Sequence, residues 1–322
     1  MSQRTILIDT DTASDDAVAL IMALRSPLVQ VAAITIVAGN VSVEQGAQNA
    51  LYTAELCGSG VPVYLGASGP LKRKLQRADW FHGADGMGDH GYAPAHRQPE
   101  ALHAVDAIIE TVRKHPGIEV ITLGPLTNLA LALERAPEIV AHISRCVIMG
   151  GAPCCEGNVT PAAEFNIWVD PDAARIVFLS GLPIEMIGWQ LSRHKAVLSA
   201  KDIAGILALK TPWAEFAIEC NSTAAVAYAT QTGEHGIALP DPTAMAVLLH
   251  PELCLTASMH FVEIETASEL TRGMTVVDRL EVSADARNEA VWREARAHAR
   301  PAKICWKLDI DGWKAALRQS FS

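Results

Sequence analysis

The densest chemistry in the chain lies near its start, in Ile8-Asp9-Thr10-Asp11-Thr12-Ala13-Ser14-Asp15-Asp16-Ala17. Four carboxylates fall within eight residues, where an apolar strand-like run gives way to a helix-like one. Carboxylates crowded in this way repel one another unless a cation or a sugar's hydroxyls take up their oxygens. An all-oxygen donor set suits a hard divalent ion, Ca²⁺ or Mg²⁺, and not zinc. The plainer alternative is a helix N-cap, since Asp and Ser near a helix start satisfy free N–H groups and the macrodipole. That accounts for Ser14 or Asp15 and leaves Asp9 and Asp11 unexplained. An EF-hand is excluded, because its twelfth loop position would be Leu20, where the loop needs Glu. A phosphatase of the haloacid-dehalogenase type also opens with a strand and Asp-x-Asp. Here Ala13 stands where that pattern has Thr or Val, and the pattern gives no reason for Asp15-Asp16.

The elements that must position this cluster can be read from periodicity. Thr5–Asp9, Val29–Val37, Val61–Leu65, Glu119–Leu123, Arg145–Met149 and Pro183–Ile187 read as strands. Between them, Asp15–Leu24, Val41–Cys57, Leu102–Lys114, Leu126–Arg135 and Pro171–Ser180 read as helices. The strands are continuous apolar runs, as in a sheet buried on both faces. Their alternation with helices predicts an α/β fold, an open, mostly parallel, twisted sheet with helices on both faces. A switch-point cleft would open at the carboxyl ends of the strands, where the Asp cluster lies. After Ala196 helical stretches dominate, predicting a helical elaboration over about 197–250 within a single domain spanning 1–322. Strand-like runs return at His260–Glu265, Thr275–Asp278 and Lys303–Leu308, and a last helix at Gly312–Arg318. Gly66–Pro99 has little periodicity and holds Trp80-Phe81-His82; long irregular loops of this kind are often functional lids.

Composition bounds the rest. Half of the 322 residues are hydrophobic and 19% are charged, which excludes a disordered chain. The net charge of −10 argues against a nucleic-acid partner, which requires a basic footprint. No apolar run approaches the ~18 residues needed to span a bilayer, and the opening Met-Ser-Gln-Arg-Thr has no signal-peptide character. Seven Cys with no CxxC pair read as reduced thiols, predicting a cytoplasmic protein.

Taken in order, further segments carry a resemblance. Gly39-Asn40 follows the second strand, and His82-Gly83 with Gly86 follows later. Then come Leu123-Gly124-Pro125-Leu126-Thr127-Asn128, Met149-Gly150-Gly151 and Asn158-Val159-Thr160-Pro161-Ala162-Ala163-Glu164-Phe165-Asn166. Asp170-Pro171-Asp172-Ala173-Ala174 and Asp241-Pro242 complete the set. With Asp9, Asp11, Asp15, Asp16 and Ala17, this ordered set resembles the nucleoside hydrolase family of the inosine–uridine-preferring type. That family opens with Asp-x-Asp-Pro-Gly-x-Asp-Asp-Ala, and here Thr12-Ala13 replaces Pro-Gly.

The resemblance implies Ca²⁺-dependent cleavage of the N-glycosidic bond of ribonucleosides to ribose and free base. It implies metal ligands at Asp11, Asp16, Asp241 and the Leu123 carbonyl, with Asp11 also the base that activates a metal-bound water. Asp15, Asn40, Asn158, Glu164 and Asn166 would bind ribose hydroxyls, with Met149 against the sugar. The expected partner is a small-molecule nucleoside, and the expected assembly a homodimer or homotetramer. These types suit the chemistry, because N-ribosidic cleavage passes through an oxocarbenium-like state and needs an activated water and a gripped ribose. Trp80, Phe81 and His82 are candidates for contact with the nucleobase. One departure stands out: family members that cleave inosine well carry His before the late Asp, to protonate the leaving base, and here that residue is Pro240. Proline donates no proton, which makes His235 and Tyr228 the alternative acids. A nucleoside-binding protein without catalysis remains the competing class, separable by a reducing-sugar assay.

Overall fold

Strands and helices alternate along the computed structural model, which describes residues 3–322. The first third contains β1 (Arg4–Thr10), α1 (Ser14–Leu24), β2 (Val29–Ile36), α2 (Val43–Leu56), β3 (Val63–Leu65) and α3 (Asp79–His82). Next come α4 (Ala104–Lys114), β4 (Ile118–Thr122), α5 (Thr127–Arg135), β5 (Ile143–Met149), α6 (Phe165–Val169), α7 (Pro171–Leu179) and β6 (Ile184–Ile187). They are followed by α8 (Trp189–Ser192), β7 (Val197–Leu198), α9 (Ala200–Leu207), α10 (Pro212–Glu219), α11 (Ser222–Thr232), β8 (Ile237–Ala238) and α12 (Pro240–Leu249). The chain closes with β9 (Cys254–His260), β10 (Val262–Ile264), β11 (Thr275–Val277), α13 (Glu289–His298), β12 (Ala302–Leu308) and α14 (Ile310–Ser320).

Eight strands form one sheet in the order β3-β2-β1-β4-β5-β6-β12-β9. All neighbours are parallel except β9, which runs antiparallel to β12. Strand order reverses between β1 and β4, so the crevice of a doubly wound sheet opens at their carboxyl ends. One hydrophobic core packs α1, α2 and α12 on one face, and a second packs α4, α5 and α7 on the other. The expected fold is therefore the observed one.

The second half departs from expectation in three places. The segment over 197–250 holds helices, but also an antiparallel pair of β7 and β8. Its last helix, α12, is no elaboration: Asp241 through Leu249 are all buried. A helix apolar on every side belongs inside a core. Pro240 opens α12 at its first position, where a missing N–H costs nothing. The strand expected at His260–Glu265 is β10, and β9, over Cys254–His260, precedes it unexpected. β9 is a sheet edge with Leu255 and Met259 exposed, so it lacks the apolar continuity of the inner strands. α13 was not anticipated, because its sequence is largely polar with only Trp292 and Ala295 buried.

A charge network secures the amino end of the sheet. Arg4 donates to the Glu119 carboxylate at 3.0 Å and to the Leu248 and Leu249 carbonyls, each at 2.9 Å. Arg145 pairs with Glu185 at 2.5 Å and donates to the Val247 and Leu248 carbonyls at 3.0 and 3.1 Å. Lys303 reaches Glu185 at 2.7 Å. The two arginines thus satisfy the final carbonyls of α12, where the helix dipole favours cations. That fixes the axis on which α12 points its first turn, and Asp241, at the opposite end of the sheet.

Candidate active site

The Asp cluster spans the turn from β1 into α1. Asp16, in the first turn of α1, accepts the Ala13 N–H at 2.8 Å and the Thr10 hydroxyl, which closes the helix start. Asp9 faces away, fully buried, with Oδ1 held by Thr35 at 2.6 Å and by Asn128 at 2.9 Å. Burial raises its pKa to about 7 against those two hydrogen bonds. Asp9 orients Asn128, whose amide also ties the Ile36 and Ala67 backbones together.

Asp11 is clamped between two glycines. A Cβ on Gly39 would lie 2.1 Å from Asp11 Oδ2, and one on Gly124 would lie 2.8 Å from Oδ1. This close approach lets the Asn40 N–H donate to Oδ2 at 2.6 Å. Oδ1 is buried without a partner in the protein, and so is Asp15 Oδ1. Ligand oxygens of Asp15, Asp16 and Asp241 all lie within 4.8 Å of one another. Burial, then mutual repulsion, holds Asp11 and Asp241 well above the usual carboxylate range. Asp15 and Asp16 rise to about 6, chiefly through burial. No Lys or Arg lines the cavity that these groups adjoin. Orphaned oxygens, an all-carboxylate set and no compensating side-chain cation fit a bound hard divalent metal. That trio contains Asp15, where the sequence places Asp11 with Asp16 and Asp241.

The cavity above the cluster is lined by Asp15, Asn40, Leu123, Met149, Asn158, Glu164, Asn166 and Asp241. Glu164 caps the start of α6, accepting the N–H groups of Asn166 at 2.9 Å and Gly151 at 2.8 Å. Burial still raises its pKa to about 7. Asn166 donates from Nδ2 to the Leu123 carbonyl at 2.8 Å and rests against Met149 Sδ at 3.2 Å. The Leu123 carbonyl keeps a second lone pair. Asn158 uses Oδ1 to accept the Phe165 N–H at 2.9 Å, and its carbonyl takes the Gln231 amide. The fold thus brings to one cavity residues from five separate segments: those that follow β1, β2, β4 and β5, and the start of α12.

The opposite wall is partly as expected. Trp80, Phe81 and His82 form α3 and line the cavity, with Trp80 at its rim, 56% exposed. Phe81 meets both neighbours edge-on, at ring separations of 5.3 Å to Trp80 and 4.9 Å to His82. His82 Nδ1 lies 2.8 Å from the Ser14 hydroxyl, and burial lowers its pKa to about 4, so the ring is neutral at physiological pH. Tyr228 and His235 are not in the cavity lining. The Tyr228 hydroxyl donates to Glu234 at 2.6 Å, inside a cluster with Arg193 and His194. His235 is exposed beyond the end of α11. Neither is placed to protonate a base held in the cavity. Phe165, Trp189, Asn221, Gln231 and Pro240 do line it, and sequence reasoning assigned none of them a contact. Two of them carry a sequence signal: Phe165 lies between Glu164 and Asn166, and Pro240 directly precedes Asp241.

The comparisons agree with this geometry. Residues 6–315 match the model of the inosine-uridine preferring nucleoside hydrolase family. A pyrimidine-specific ribonucleoside hydrolase, RihA, of Shewanella sp. strain MR-7 is 42% identical over 291 residues, covering 89% of this chain and 91% of its own. A plant nucleoside hydrolase, PpNRh1, superposes with a TM-score of 0.91 at 30% identity, covering 99% of each chain. A purine-preferring ribonucleoside hydrolase from Gardnerella vaginalis gives a TM-score of 0.87 at 31% identity, covering 98% of this chain and 99% of its own. Family match, fold and site coincide: this chain belongs to the inosine-uridine preferring nucleoside hydrolases and is an enzyme that hydrolyses the N-glycosidic bond of nucleosides.

Proposed function

We propose that the hydrolysis is Ca²⁺-dependent, with the ion held by Asp11, Asp16, Asp241 and the Leu123 carbonyl, and with Asp11 as the general base. The observation that carries this reading is the pair of buried, unpartnered oxygens on Asp11 and Asp15 beside Asp16 and Asp241. A divalent cation in such a set makes water a nucleophile at neutral pH. Asp11 Oδ1, free of protein partners, takes the proton that the water gives up. Asp15, Asn40, Asn158, Glu164 and Asn166 grip the ribose hydroxyls, and Met149 supports the sugar, so C1′ is oriented toward the attacking oxygen. The C1′–N bond breaks with its electron pair leaving on the base, and the ribose passes through an oxocarbenium-like state. Trp80, Phe81 and His82 contact the base as it departs. Pro240 supplies no proton, so a leaving group that needs none should depart faster.

We further read the protein as a cytoplasmic homodimer or homotetramer. Its seven free cysteines support the compartment, and among the described residues no helix is long and apolar enough to cross a membrane. The deciding assay measures reducing sugar from inosine and uridine before and after chelation. Ribose release that stops on chelation and returns with Ca²⁺ supports the reading. Full activity in metal-free protein would overturn it. 4-Nitrophenyl riboside should be turned over far faster than inosine.

A further inference from the structure

Two residues that line the cavity, outside the carboxylate cluster and the ribose-binding set, each carry a buried polar side-chain atom with no protein partner. One is Asn221 Oδ1, on a residue with no solvent exposure at the start of α11. Its Nδ2 donates to the Ser14 and Ala217 carbonyls, at 3.1 and 3.0 Å. Two carbonyl acceptors fix which end of the amide is nitrogen, because the flipped amide would face oxygen to oxygen. The other is Trp189 Nε1, on a residue 5% exposed at the start of α8. The Trp189 backbone is already satisfied, with its N–H on the Gly151 carbonyl and its carbonyl on Arg193. Both residues line the cavity that holds the Asp cluster, and they come from different elements.

A buried acceptor and a buried donor left open in one cavity are costly unless a ligand or water completes them. We propose that Asn221 and Trp189 read the nucleobase, the Asn221 oxygen accepting a base N–H and the Trp189 indole donating to a base carbonyl or ring nitrogen. This rests on the nucleoside hydrolase reading of the cavity. The ligand class follows from the pair: ribosides whose aglycone presents both an N–H and an acceptor, such as uracil or hypoxanthine. Aglycones with no N–H leave the Asn221 oxygen dry and unpaired. A site built to hydrogen-bond a group rejects the analogue that lacks it more strongly than an apolar pocket rejects a change of size. Both residues are specificity determinants; neither takes part in bond cleavage.

The test pairs substrates with variants. In the wild-type enzyme, uridine is compared with 3-methyluridine and inosine with 1-methylinosine, in which the N–H is gone. KM should rise roughly tenfold or more for the methylated member of whichever pair the enzyme cleaves. Asn221→Ala should shrink that ratio toward one. Trp189→Phe, which keeps the ring and removes the N–H, should lower kcat/KM for the nucleoside relative to 4-nitrophenyl riboside by roughly tenfold. The substrate comparison needs no variant, so a failure of Asn221→Ala to fold leaves the proposal exposed to refutation. Equal KM values within each pair would overturn the role of Asn221. An unchanged nucleoside-to-nitrophenyl ratio in Trp189→Phe would overturn that of Trp189. If neither uridine nor inosine inhibits turnover of the nitrophenyl riboside, so that neither base is bound, both assignments are overturned. Loss of all riboside turnover in the metal-loaded enzyme would instead count against the reading of the cavity itself.

Discussion

At the amino end of the parallel sheet, Glu119 and Glu185 are buried with Arg4, Arg145 and Lys303 against them. At the carboxyl end, Asp11, Asp15, Asp16 and Asp241 are buried together, and no Lys or Arg lines their cavity. The same sheet thus carries two clusters of buried carboxylates with opposite electrostatics. Where the charges are matched, their hydrogen bonds also close the last turn of α12, and the cluster serves stability. Where they are unmatched, each carboxylate disfavours ionisation of the others, and the cluster is held by the fold against its own preference. Such a site stores free energy that a cation can release.

The largest test of this contrast is Asp11→Ala. Compared in metal-free protein, removing a repelling buried charge should leave the Tm unchanged or raised, while turnover with Ca²⁺ present falls by roughly 10³-fold and metal content drops. Metal analysis, calorimetry and ribose release on the same preparation check it; full calcium with a near-normal rate would break the assignment. Arg145→Ala should do the reverse. It leaves Glu185 with Lys303 as its one remaining cation and the Val247 carbonyl without its Arg145 donor, so urea unfolding should report a loss of about 3 kcal/mol with kcat retained in the folded fraction. An unchanged urea midpoint would mean that the amino-end network is ornamental.

The contrast also sets a pH dependence for metal-free protein. Asp15 and Asp16 rise from 3.8 to about 6, Asp9 from 3.8 to about 7 and Glu164 from 4.5 to about 7. Each binds its proton more tightly when folded. The stability they contribute is full below about 4 and is lost as pH rises through 6 and 7. His82, lowered from 6.5 to about 4, works in the opposite direction over much of that window but is one group against several. Chelated protein should therefore lose stability from pH 4.5 to 7, and saturating Ca²⁺ should flatten the slope. Denaturant midpoints across that range decide it; a midpoint that climbs with pH in the absence of metal would contradict the reading.

The smallest expected effect is at the rim. Trp80→Ala should raise KM for nucleosides roughly fivefold, the scale of one aromatic contact, with kcat little changed. An unchanged KM would place α3 outside the base site.

How much of this was legible beforehand depends on where the signal lies in the chain. β1 to β6 could be read because strands buried on both faces are continuous apolar runs. The Asp cluster and Asn158-to-Asn166 could be read because several site residues share one short segment. β9 could not, since an edge strand with exposed Leu255 and Met259 lacks that continuity. α12 reads as part of the peripheral helical segment, because a helix apolar all round carries no periodic mark of the face it buries. Trp189 and Asn221 each stand alone in their segments, and only the fold shows that they line the same cavity. Tyr228 and His235 were chosen by nearness in sequence to Asp241, which says nothing about direction. The Glu234 cluster holds one of them, and the other is exposed.

The position of Asp241 on α12 has a consequence for how the protein comes to be made. Asp11 and Asp16 are synthesised first and Asp241 only after most of the chain has followed. The cluster cannot exist until that long loop has closed and α12 has seated on α1, a contact of high sequence separation that forms slowly. A cation that binds only the closed cluster would stabilise the assembled molecule against the open one, and would slow the rate at which it comes apart wherever the cluster opens before the rest.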